Sequence, residues 1–421
     1  MNKNEALTQL GLTALRPAQE QTLQMLEQGR DVLAILATGS GKSAIFQMFA
    51  LELACMTIVI EPFLALEIDQ VRQLQEKGIA AAMLNSTLSK QKRQEVLSQI
   101  ENNTLRLLYL TPEMLQNQNV QKALNRTRVS GVMIDEAHCI VKQGPGFREN
   151  YLRIADFVKT LREKPVIGAF TATATRSTEK QIINRLNMDD PFIYRGSVTR
   201  ENIRLSAIEV GHGLKGRKNA AVIEQRKREE ICRLLKRKSQ KGNSVIYCNT
   251  VKRVKQIKRF LKKEGFPVES FYGACKNKEE RLRRFASGEV RIMVATNAFG
   301  LGVNIPNVRL VIHHSPSIGL DEYVQEAGRA GRNGKQAEAA LLWHPYDFTI
   351  NRGLLEKAKM DLTGRERKDR LDALEALKRY AQDKERCRWR IIRKFFGEKK
   401  GDRCEDQCDN CYHAENKIGK L

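Results

Sequence analysis

Apolar residues along the chain fall into short continuous runs that alternate with amphipathic stretches. Short apolar runs bounded by polar residues are typical of parallel strands that are covered on both faces of a sheet. In the first half of the chain such runs occupy residues 32–36, 57–60, 107–110, 132–134 and 166–170. The stretches between them, such as residues 43–54 and 65–76, have helical periodicity. The first half therefore predicts an α/β domain with a doubly wound parallel sheet.

The same alternation restarts after a basic stretch at residues 211–242, which predicts one helix at residues 223–235 and a Lys/Arg-rich link. Further apolar runs follow at residues 244–247, 270–272, 291–294, 310–312 and 339–342 and predict a second α/β domain. From residue 347 onward the pattern is helical, with one apolar face formed by Leu371, Leu374, Leu377 and Tyr380. We therefore expect three domains, at residues 1–203, 204–346 and 347–421.

The chain carries a large excess of positive charge. Its 421 residues include 73 Lys and Arg against 49 Asp and Glu, which gives a formal net charge of +24. This charge predicts a polyanionic partner, although a basic, solvated surface would give the same number. Residues 251–263 predict a basic amphipathic helix with Val254, Ile257 and Leu261 facing inward, and its cationic face is either a phosphate contact or a solvated surface.

The chain shows no sign of export or membrane insertion. No apolar stretch is long enough to span a bilayer, and the first residues do not form a signal peptide. We expect a cytoplasmic protein with no membrane partner.

A glycine-rich loop follows the first predicted strand and precedes a helical pattern. Residues 37–43 read ATGSGKS. In such a loop the backbone amides and the helix N-terminus bind phosphate oxygens, the lysine reaches the terminal phosphates, and the serine hydroxyl binds the Mg²⁺ of the nucleotide. An ordinary strand–turn–helix junction is the alternative, but the motif in this context favours ATP. The predicted nucleotide-binding residues of the loop are Thr38, Gly39, Ser40, Gly41, Lys42 and Ser43.

An acidic pair ends the predicted strand at residues 132–134. Asp135 and Glu136 stand where an open α/β sheet presents its ligands. We expect Asp135 to bind Mg²⁺ together with Ser43, Glu136 to orient and deprotonate the attacking water, and His138 to belong to the same catalytic group. An isolated Asp-Glu pair is usually a solvated turn, but a phosphate loop about ninety residues earlier favours the catalytic interpretation.

Four of the nine cysteines are concentrated near the C-terminus. Cys387, Cys404, Cys408 and Cys411 supply the four thiolates that a structural, tetrahedral Zn²⁺ site requires. Two alternatives are disulfides, which a reducing compartment disfavours, and a site in which His413 replaces one cysteine. The other five cysteines are scattered singly and are expected to be reduced core thiols.

Residues 135–140, with the sequence DEAHCI, resemble the acidic box of RecQ-family helicases. Other segments resemble the family's motifs in the same order along nearly the whole chain: RPAQ at 16–19, PFLAL at 62–66, DQ at 69–70, NS at 85–86, TPE at 111–113, TATA at 171–174, AT at 295–296, AFGLG at 298–302 and QEAGRAGRNG at 325–334. The cysteine cluster after FGE at 396–398 is also similar to that of RecQ proteins. The resemblance implies two tandem RecA-like parallel-sheet P-loop domains followed by a small helical zinc-binding subdomain.

The resemblance also implies roles for single residues. Gln19 would contact the adenine base, with Arg16 in the same motif. Arg329 and Arg332 would act as arginine fingers on the transferred phosphoryl group, and we expect them on one face of a helix turn facing the first domain. The DNA contacts that the resemblance implies are Asn85, Ser86, Thr111, Phe147, Arg148 and Thr296.

The function implied by the resemblance is an ATP-dependent DNA helicase or translocase that moves 3′ to 5′. It would use ATP, Mg²⁺ and Zn²⁺, act as a monomer on single-stranded or tailed duplex DNA, and serve repair or recombination on a bacterial nucleoid. The sequence ends at Leu421, so the resemblance is to a short form without winged-helix and HRDC domains, and Gln143 stands where the family has Trp.

These two features leave open a function of a different class, an ATP-gated DNA-binding scaffold or translocase with little unwinding activity in a repair or defence complex. A third hypothesis is an RNA helicase of the broader DEAH type. Residues 325–334 and the cysteine cluster argue against it.

Overall fold

The computed structural model describes residues 1–53, 55–142, 150–237, 242–299, 305, 307–357, 364–398 and 401–412. The chain divides into two compact units, Met1–Ser197 and Val198–Leu421. Each unit is built around one parallel sheet, which confirms the predicted α/β class. Within the described part of the chain, no helix is both long enough and apolar enough to cross a membrane.

The first unit contains a seven-stranded sheet. Its strands are β1 Val32–Ile35, β2 Met56–Ile60, β3 Ala81–Leu84, β4 Leu107–Leu110, β5 Val129–Ile134, β6 Val166–Thr171 and β7 Phe192–Arg195, in the spatial order β3-β4-β2-β5-β6-β1-β7. The helices are α1 Lys3–Leu10, α2 Pro17–Glu27, α3 Lys42–Glu52, α4 Leu64–Glu76, α5 Lys90–Glu101, α6 Gln118–Asn125, α7 Cys139–Lys142, α8 Ile154–Thr160 and α9 Arg176–Leu186, with a 3₁₀ helix at Pro112–Gln116. All five strands predicted for this half are confirmed. The two edge strands, β3 and β7, were not predicted.

Alternate residues of the central strands are buried on opposite faces of this sheet. Leu33 and Ile35 pack into one apolar cluster, whereas Val32 and Ala34 pack into another. Successive side chains of a strand point to opposite faces. A strand covered on both faces therefore appears in the sequence as a continuous apolar run rather than as an alternating pattern.

The second unit contains a six-stranded sheet. Its strands are β8 Ile203–Glu209, β9 Asn243–Tyr247, β10 Val268–Phe271, β11 Ile292–Ala295, β12 Val308–His313 and β13 Ala337–Trp343, in the order β10-β11-β9-β12-β13-β8. The helices are α10 Ala220–Leu235, α11 Val251–Lys263, α12 Lys278–Ala286, α13 Leu320–Ala327, α14 Pro345–Lys357, α15 Gly364–Gln382 and α16 Arg388–Phe395. The predicted basic helix has the bounds of α11, and Val254, Ile257 and Leu261 are buried as predicted.

The cysteine-containing tail packs against the second sheet through β8. The Leu205 amide donates to the Gln407 carbonyl at 3.0 Å, and the Ala207 amide donates to Asp409 Oδ2 at 2.9 Å. The buried Arg388 donates through Nε to Asp409 Oδ1 at 2.6 Å. The described part of the tail therefore belongs to the same compact unit as this sheet.

One apolar face of α15 completes this packing. Leu374, Leu377 and Tyr380 are buried, and Leu371 is half-buried. This is the helical face predicted from the sequence.

Candidate functional site

The predicted nucleotide-binding residues lie at the carboxyl edge of the first sheet. The phosphate loop follows β1, and the acidic motif follows β5. Strand β6 lies between these two strands and ends at Thr171. The three segments are therefore neighbours at the edge where open α/β sheets bind their ligands.

The phosphate loop has the backbone that its glycines predict. Gly39 and Gly41 have φ angles of 81° and 79°, in the left-handed region that glycine adopts without strain. Helix α3 begins directly after Gly41, so its N-terminal amides face the loop. The Ser40 hydroxyl is buried and has no hydrogen-bond partner among the described residues. The loop thus has the free donors that a bound phosphate group requires.

Gln19 supports the phosphate loop from α2. Its side chain is almost fully buried, and Nε2 donates to the carbonyl oxygens of Ser40 at 3.2 Å and Gly41 at 2.9 Å. Its Oε1 accepts from the amide of the exposed Arg16 at 2.8 Å. A Cβ atom on Gly41 would lie 2.6 Å from Gln19 Nε2, so a larger residue there would displace the Gln19 amide. The predicted adenine contact of Gln19 stays a prediction, and the structure shows a different partner for its amide.

The acidic motif forms a tight cluster at the end of β5. Asp135 is buried, and its Oδ1 accepts from the Glu136 amide at 2.8 Å. Glu136 has a φ of 46°, a strained conformation for a non-glycine residue that concentrates at functional sites. Its Oε2 lies 3.2 Å from His138 Nδ1, which also lies 3.1 Å from the Thr171 hydroxyl. The end of β6 thereby fixes the orientation of the acidic motif.

The electrostatics of this edge favour a bound cation. Burial and the neighbouring Glu136 raise the pKa of Asp135, Lys42 and the Glu136 amide oppose the increase, and the net pKa is about 6. Lys42 of the phosphate loop therefore lies within electrostatic reach of Asp135. The carboxylate of Asp135 and the hydroxyl of Ser43 are hard oxygen donors of the kind that Mg²⁺ prefers.

A second buried carboxyl, Glu61, lies beside Asp135 and was not among the predicted site residues. Ile60 pairs with Ile134, so Glu61 and Asp135 follow as neighbours across β2 and β5. Glu61 is fully buried, and its Oε2 has no hydrogen-bond partner within the described ranges. Burial and the charge of Asp135 raise its pKa. Its position directly after a predicted apolar strand is the same signal that identified Asp135.

The two predicted arginine fingers lie beyond a helix and not on one. Helix α13 ends at Ala327, and Arg329 and Arg332 lie in the turns that follow. The predicted helix turn is therefore wrong, because Gly328 ends the helix and short-range bonds such as Arg329 amide to Glu326 carbonyl (3.2 Å) replace it.

Tyr247, at the end of β9, lies beside both arginines. Burial raises the pKa of this phenol, and the charges of Arg329 and Arg332 oppose the increase. The Tyr247 hydroxyl donates to the Phe299 carbonyl at 3.0 Å. Tyr247 was not among the predicted site residues, although it ends a predicted strand.

A buried histidine supports the same segment. His313 ends β12, and its ring stacks on that of Tyr247 with centroids 5.4 Å apart. Its Nε2 lies 2.9 Å from Oε2 of Glu326, which also accepts from the Ser317 hydroxyl at 2.6 Å. Glu326 is only three residues before Arg329. The strand ends thus hold the segment that carries the arginines.

The four clustered cysteines form a compact set of sulfur ligands. The Sγ atoms of Cys387, Cys404, Cys408 and Cys411 all lie within 4.8 Å of one another. The Sγ atoms of Cys387 and Cys404 are 3.4 Å apart. Four thiolates at this spacing fit a tetrahedral Zn²⁺ ion. The alternative ligand His413 lies outside the described residues.

The predicted DNA contacts are only partly at the surface. Ser86 is exposed, but Asn85 is fully buried, and Thr111 is nearly so. Thr296 follows β11 and is half-buried. Phe147, Arg148 and the last three residues of the AFGLG segment lie outside the described residues.

Family models match three successive parts of the chain. A DEAD/DEAH box helicase model matches residues 16–182, a helicase conserved C-terminal domain matches residues 226–334, and a RecQ zinc-binding model matches residues 345–412. The third match covers all four clustered cysteines, in agreement with a zinc site.

Sequence comparisons over most of this chain identify RecQ proteins as relatives. The ATP-dependent DNA helicase RecQ of Pasteurella multocida is 34% identical over 95% of this chain and 60% of that protein, so the chain spans less than two thirds of its length. The RecQ of Synechocystis sp. is 35% identical over 80% of this chain and 70% of that protein.

A solved structure, S. cerevisiae Dbp5 bound to RNA and ADP BeF3, has a TM-score of 0.65 and 18% identity over 99% of this chain and 95% of that chain, which supports the fold alone. The sequence relatives and the zinc-binding match together decide the family: the chain belongs to the RecQ family of helicases.

Proposed function

We propose that this chain is an ATP-dependent DNA helicase or translocase. The observation that carries the proposal is the carboxyl edge of the first sheet, where the phosphate loop and the acidic motif flank β6 and Lys42 acts electrostatically on Asp135. In a RecQ-family chain, this combination supports hydrolysis of a nucleoside triphosphate.

The predicted site residues of the first unit have different roles in ATP hydrolysis. The loop from Thr38 to Ser43 binds the triphosphate through backbone amides and Lys42. Mg²⁺, held by Ser43 and Asp135, would neutralise charge on the phosphates. Glu136 orients the attacking water and accepts its proton, and His138 keeps Glu136 in place through the 3.2 Å contact. Gln19 and Arg16 complete the site beside the loop.

Arg329 and Arg332 supply positive charge to the transferred phosphoryl group in this proposal. Charge develops on that group in the transition state, and an arginine finger is worth about 10³-fold or more in rate. The contacts of Tyr247, His313 and Glu326 support this role because they fix the segment that carries both arginines.

The proposed substrate is single-stranded DNA or a duplex with a single-stranded tail, traversed 3′ to 5′ by a monomer. The net charge of +24 and the DNA helicase names of the relatives support DNA as the partner. Ser86, Thr111, Thr296, Phe147 and Arg148 are the proposed contacts, together with the turn at Asn85. In this proposal Zn²⁺ has a structural role, and the bacterial relatives support a cytoplasmic protein. Association with the nucleoid and a role in repair or recombination are part of the proposal and follow from DNA as its partner.

ATP hydrolysis with and without single-stranded DNA tests the proposal. We expect DNA to stimulate the wild type, and Lys42→Ala and Glu136→Gln each to lower kcat by about 10²-fold or more, because they remove a phosphate ligand and the general base. The exposed pair Lys159 and Asp156 provides the controls Lys159→Ala and Asp156→Asn, which should retain wild-type rates. A wild type that single-stranded DNA does not stimulate would contradict the proposal.

Strand displacement on tailed duplexes separates the remaining functions. Displacement from a 3′ tail but not from a 5′ tail is the expected result. If DNA stimulated ATP hydrolysis but neither tailed duplex were displaced, the function would be translocation or that of an ATP-gated scaffold, without unwinding. If RNA stimulated ATP hydrolysis as strongly as DNA does, DNA would not be the specific substrate.

A further inference from the structure

A buried carboxyl lies beneath one of the predicted DNA contacts. Glu67, in the first turn of α4, has no exposed surface. Its Oε2 accepts from Nδ2 of Asn85 at 3.0 Å, and its Oε1 has no hydrogen-bond partner among the residues that the structure describes. Neither residue binds the nucleotide in the proposed function, so this pair has a different purpose.

The side chain of Asn85 shapes the turn that follows β3. Its Oδ1 accepts from the Thr87 amide at 3.0 Å and from the Thr87 hydroxyl at 2.7 Å, while Nδ2 donates to Glu67. Asparagine forms such turns by accepting from the backbone two residues later. Because both ends of the Asn85 amide are occupied within the protein, it holds the turn in place and leaves the surface to its neighbours.

The outer side of this turn has the chemistry of a phosphate contact. Ser86 and Thr87 are exposed, and the hydroxyl of Ser86 is a donor that faces outward from the turn, whereas the hydroxyl of Thr87 donates to Asn85. Helix α5 begins three residues later, and its first turn contains Lys90, Lys92 and no acidic residue. Hydroxyls, cations and a helix N-terminus are the groups that bind nucleic-acid backbones without regard to sequence.

We propose that Glu67 is a positioning residue for DNA binding: through Asn85 it holds the turn at residues 85–87 so that Ser86 meets a backbone phosphate. The inference rests on the proposed function, since it assigns a supporting residue to the same DNA-binding surface. It also explains why asparagine is buried at a position where the family resemblance implies a DNA contact.

An acidic residue under a phosphate contact would ordinarily weaken binding by repulsion. Burial and, to a smaller extent, Glu113 raise the pKa of Glu67, the hydrogen bond from the Asn85 amide lowers it, and the net pKa is about 8. Glu67 is therefore mostly protonated at neutral pH and accepts the hydrogen bond without placing a full negative charge near the DNA.

The concentration of oligo(dT) that gives half-maximal stimulation of ATP hydrolysis tests the inference. Glu67→Leu approximately keeps the volume of the side chain but removes the oxygen that accepts from Asn85. We therefore expect the half-maximal DNA concentration to rise about 10-fold. Glu67→Gln retains an acceptor oxygen and should stay within about two-fold of the wild type. Glu76→Gln removes an exposed carboxyl from the same helix and provides the matched control. The KM for ATP should change far less than the DNA concentration in Glu67→Leu.

A surface variant keeps the test decisive if Glu67→Leu does not fold. Thr87→Val removes the 2.7 Å bond to Asn85 and one exposed hydroxyl, and it should raise the half-maximal DNA concentration about 3-fold. Stimulation of both folded variants at the wild-type DNA concentration would overturn the inference, as would equal rises in the KM for ATP and in the DNA requirement. A wild type without DNA stimulation would instead refute the proposed function.

Discussion

The carboxyl edges of the two sheets differ in whether their buried ionisable side chains are paired within the protein. At the first edge three carboxyl groups, those of Asp135, Glu61 and Glu67, are buried, and burial raises the pKa of each. Among the described residues, Lys42 is the cation that acts on Asp135. One carboxyl oxygen of Glu61 and one of Glu67 have no hydrogen-bond partner within the described ranges.

At the second edge two sets of buried charges are paired within the protein. The buried Lys227 donates to both carboxylate oxygens of Asp347, at 2.7 and 2.9 Å. Glu224 contacts His314 at 3.1 Å and Arg253 at 2.7 Å. Burial works to raise the pKa of Glu224, but the hydrogen bond from His314 and the arginine charges outweigh it and lower the pKa to about 2.

This difference separates an edge built for a ligand from an edge built for its own stability. Uncompensated buried carboxyls cost folding free energy, and such sites concentrate where function requires them. A bound cation would supply a partner for the carboxylate of Asp135 at the first edge. The Lys227–Asp347 and Glu224–Arg253 pairs at the second edge need no ligand to balance their charges, and the same unit holds Arg329 and Arg332 in a fixed segment.

The largest expected effect comes from breaking a pair at the second edge. Lys227→Met leaves the carboxylate of Asp347 largely buried and without its partner. Removal of one member of a buried ion pair costs about 3–5 kcal/mol. We expect the free energy of unfolding of the second unit to fall by about 4 kcal/mol, measured by urea denaturation followed by circular dichroism.

Two further variants sharpen this measurement. The double variant Lys227→Met, Asp347→Asn removes the unpaired charge and should recover much of the loss. Arg237→Met breaks the more exposed contact with Glu338 and should cost less than about 1 kcal/mol. If Lys227→Met costs no more than Arg237→Met, the pairing at the second edge does not stabilise the unit.

Most of the fold could be predicted from the pattern of apolar residues. Strands covered on both faces, such as β4, are continuous apolar runs with clear ends. Strand β3 contains two alanines in four residues, and the edge strand β7 is only partly buried, so neither has that signature. Strand β8 precedes the basic stretch but pairs with β13 of the second sheet, a long-range contact that no local pattern encodes.

The candidate site was predictable where a motif coincides with a strand end. Asp135 and the phosphate loop meet this condition. Glu61 also follows a predicted strand, but it belongs to no recognised motif. The role of Asn85 could not be predicted, because its burial depends on Glu67, eighteen residues earlier in the chain. The helix expected at Arg329 is absent because Gly328 ends α13, which helical spacing alone does not reveal.

The next largest effect is expected at the first edge. There the free energy of unfolding should depend on pH because of Glu67. Glu67 keeps its proton up to about pH 8 in the folded protein, whereas the unfolded chain loses it near pH 4.3. The folded state thus binds more protons over this range, and wild-type stability contributed by Glu67 falls as the pH rises. Glu67→Gln has no such loss, so its stability relative to the wild type should increase between pH 5 and pH 8, by on the order of 3 kcal/mol.

Urea denaturation at pH 5, 6.5 and 8.5 measures this difference. The control Glu76→Gln, at an exposed carboxyl of the same helix, should follow the wild-type profile. A constant difference between Glu67→Gln and the wild type at all three pH values would show that Glu67 is ionised throughout, and that the first edge compensates its acids as fully as the second.

The smallest expected effect concerns the hydroxyl of Tyr247, which connects the charge-balanced second edge to catalysis. Tyr247→Phe keeps the stack on His313 but removes the bond to the Phe299 carbonyl and the contact with Arg329. We expect kcat at saturating ATP and DNA to fall about 5-fold, because loss of one hydrogen bond, worth about 1 kcal/mol, loosens the arginine segment. Tyr323→Phe is the matched control, since it removes a buried hydroxyl that contacts Tyr380 at 3.1 Å in the same unit and should cost similar stability while kcat stays within two-fold. Equal kcat values for the two variants would mean that Tyr247 stabilises the second sheet without positioning Arg329.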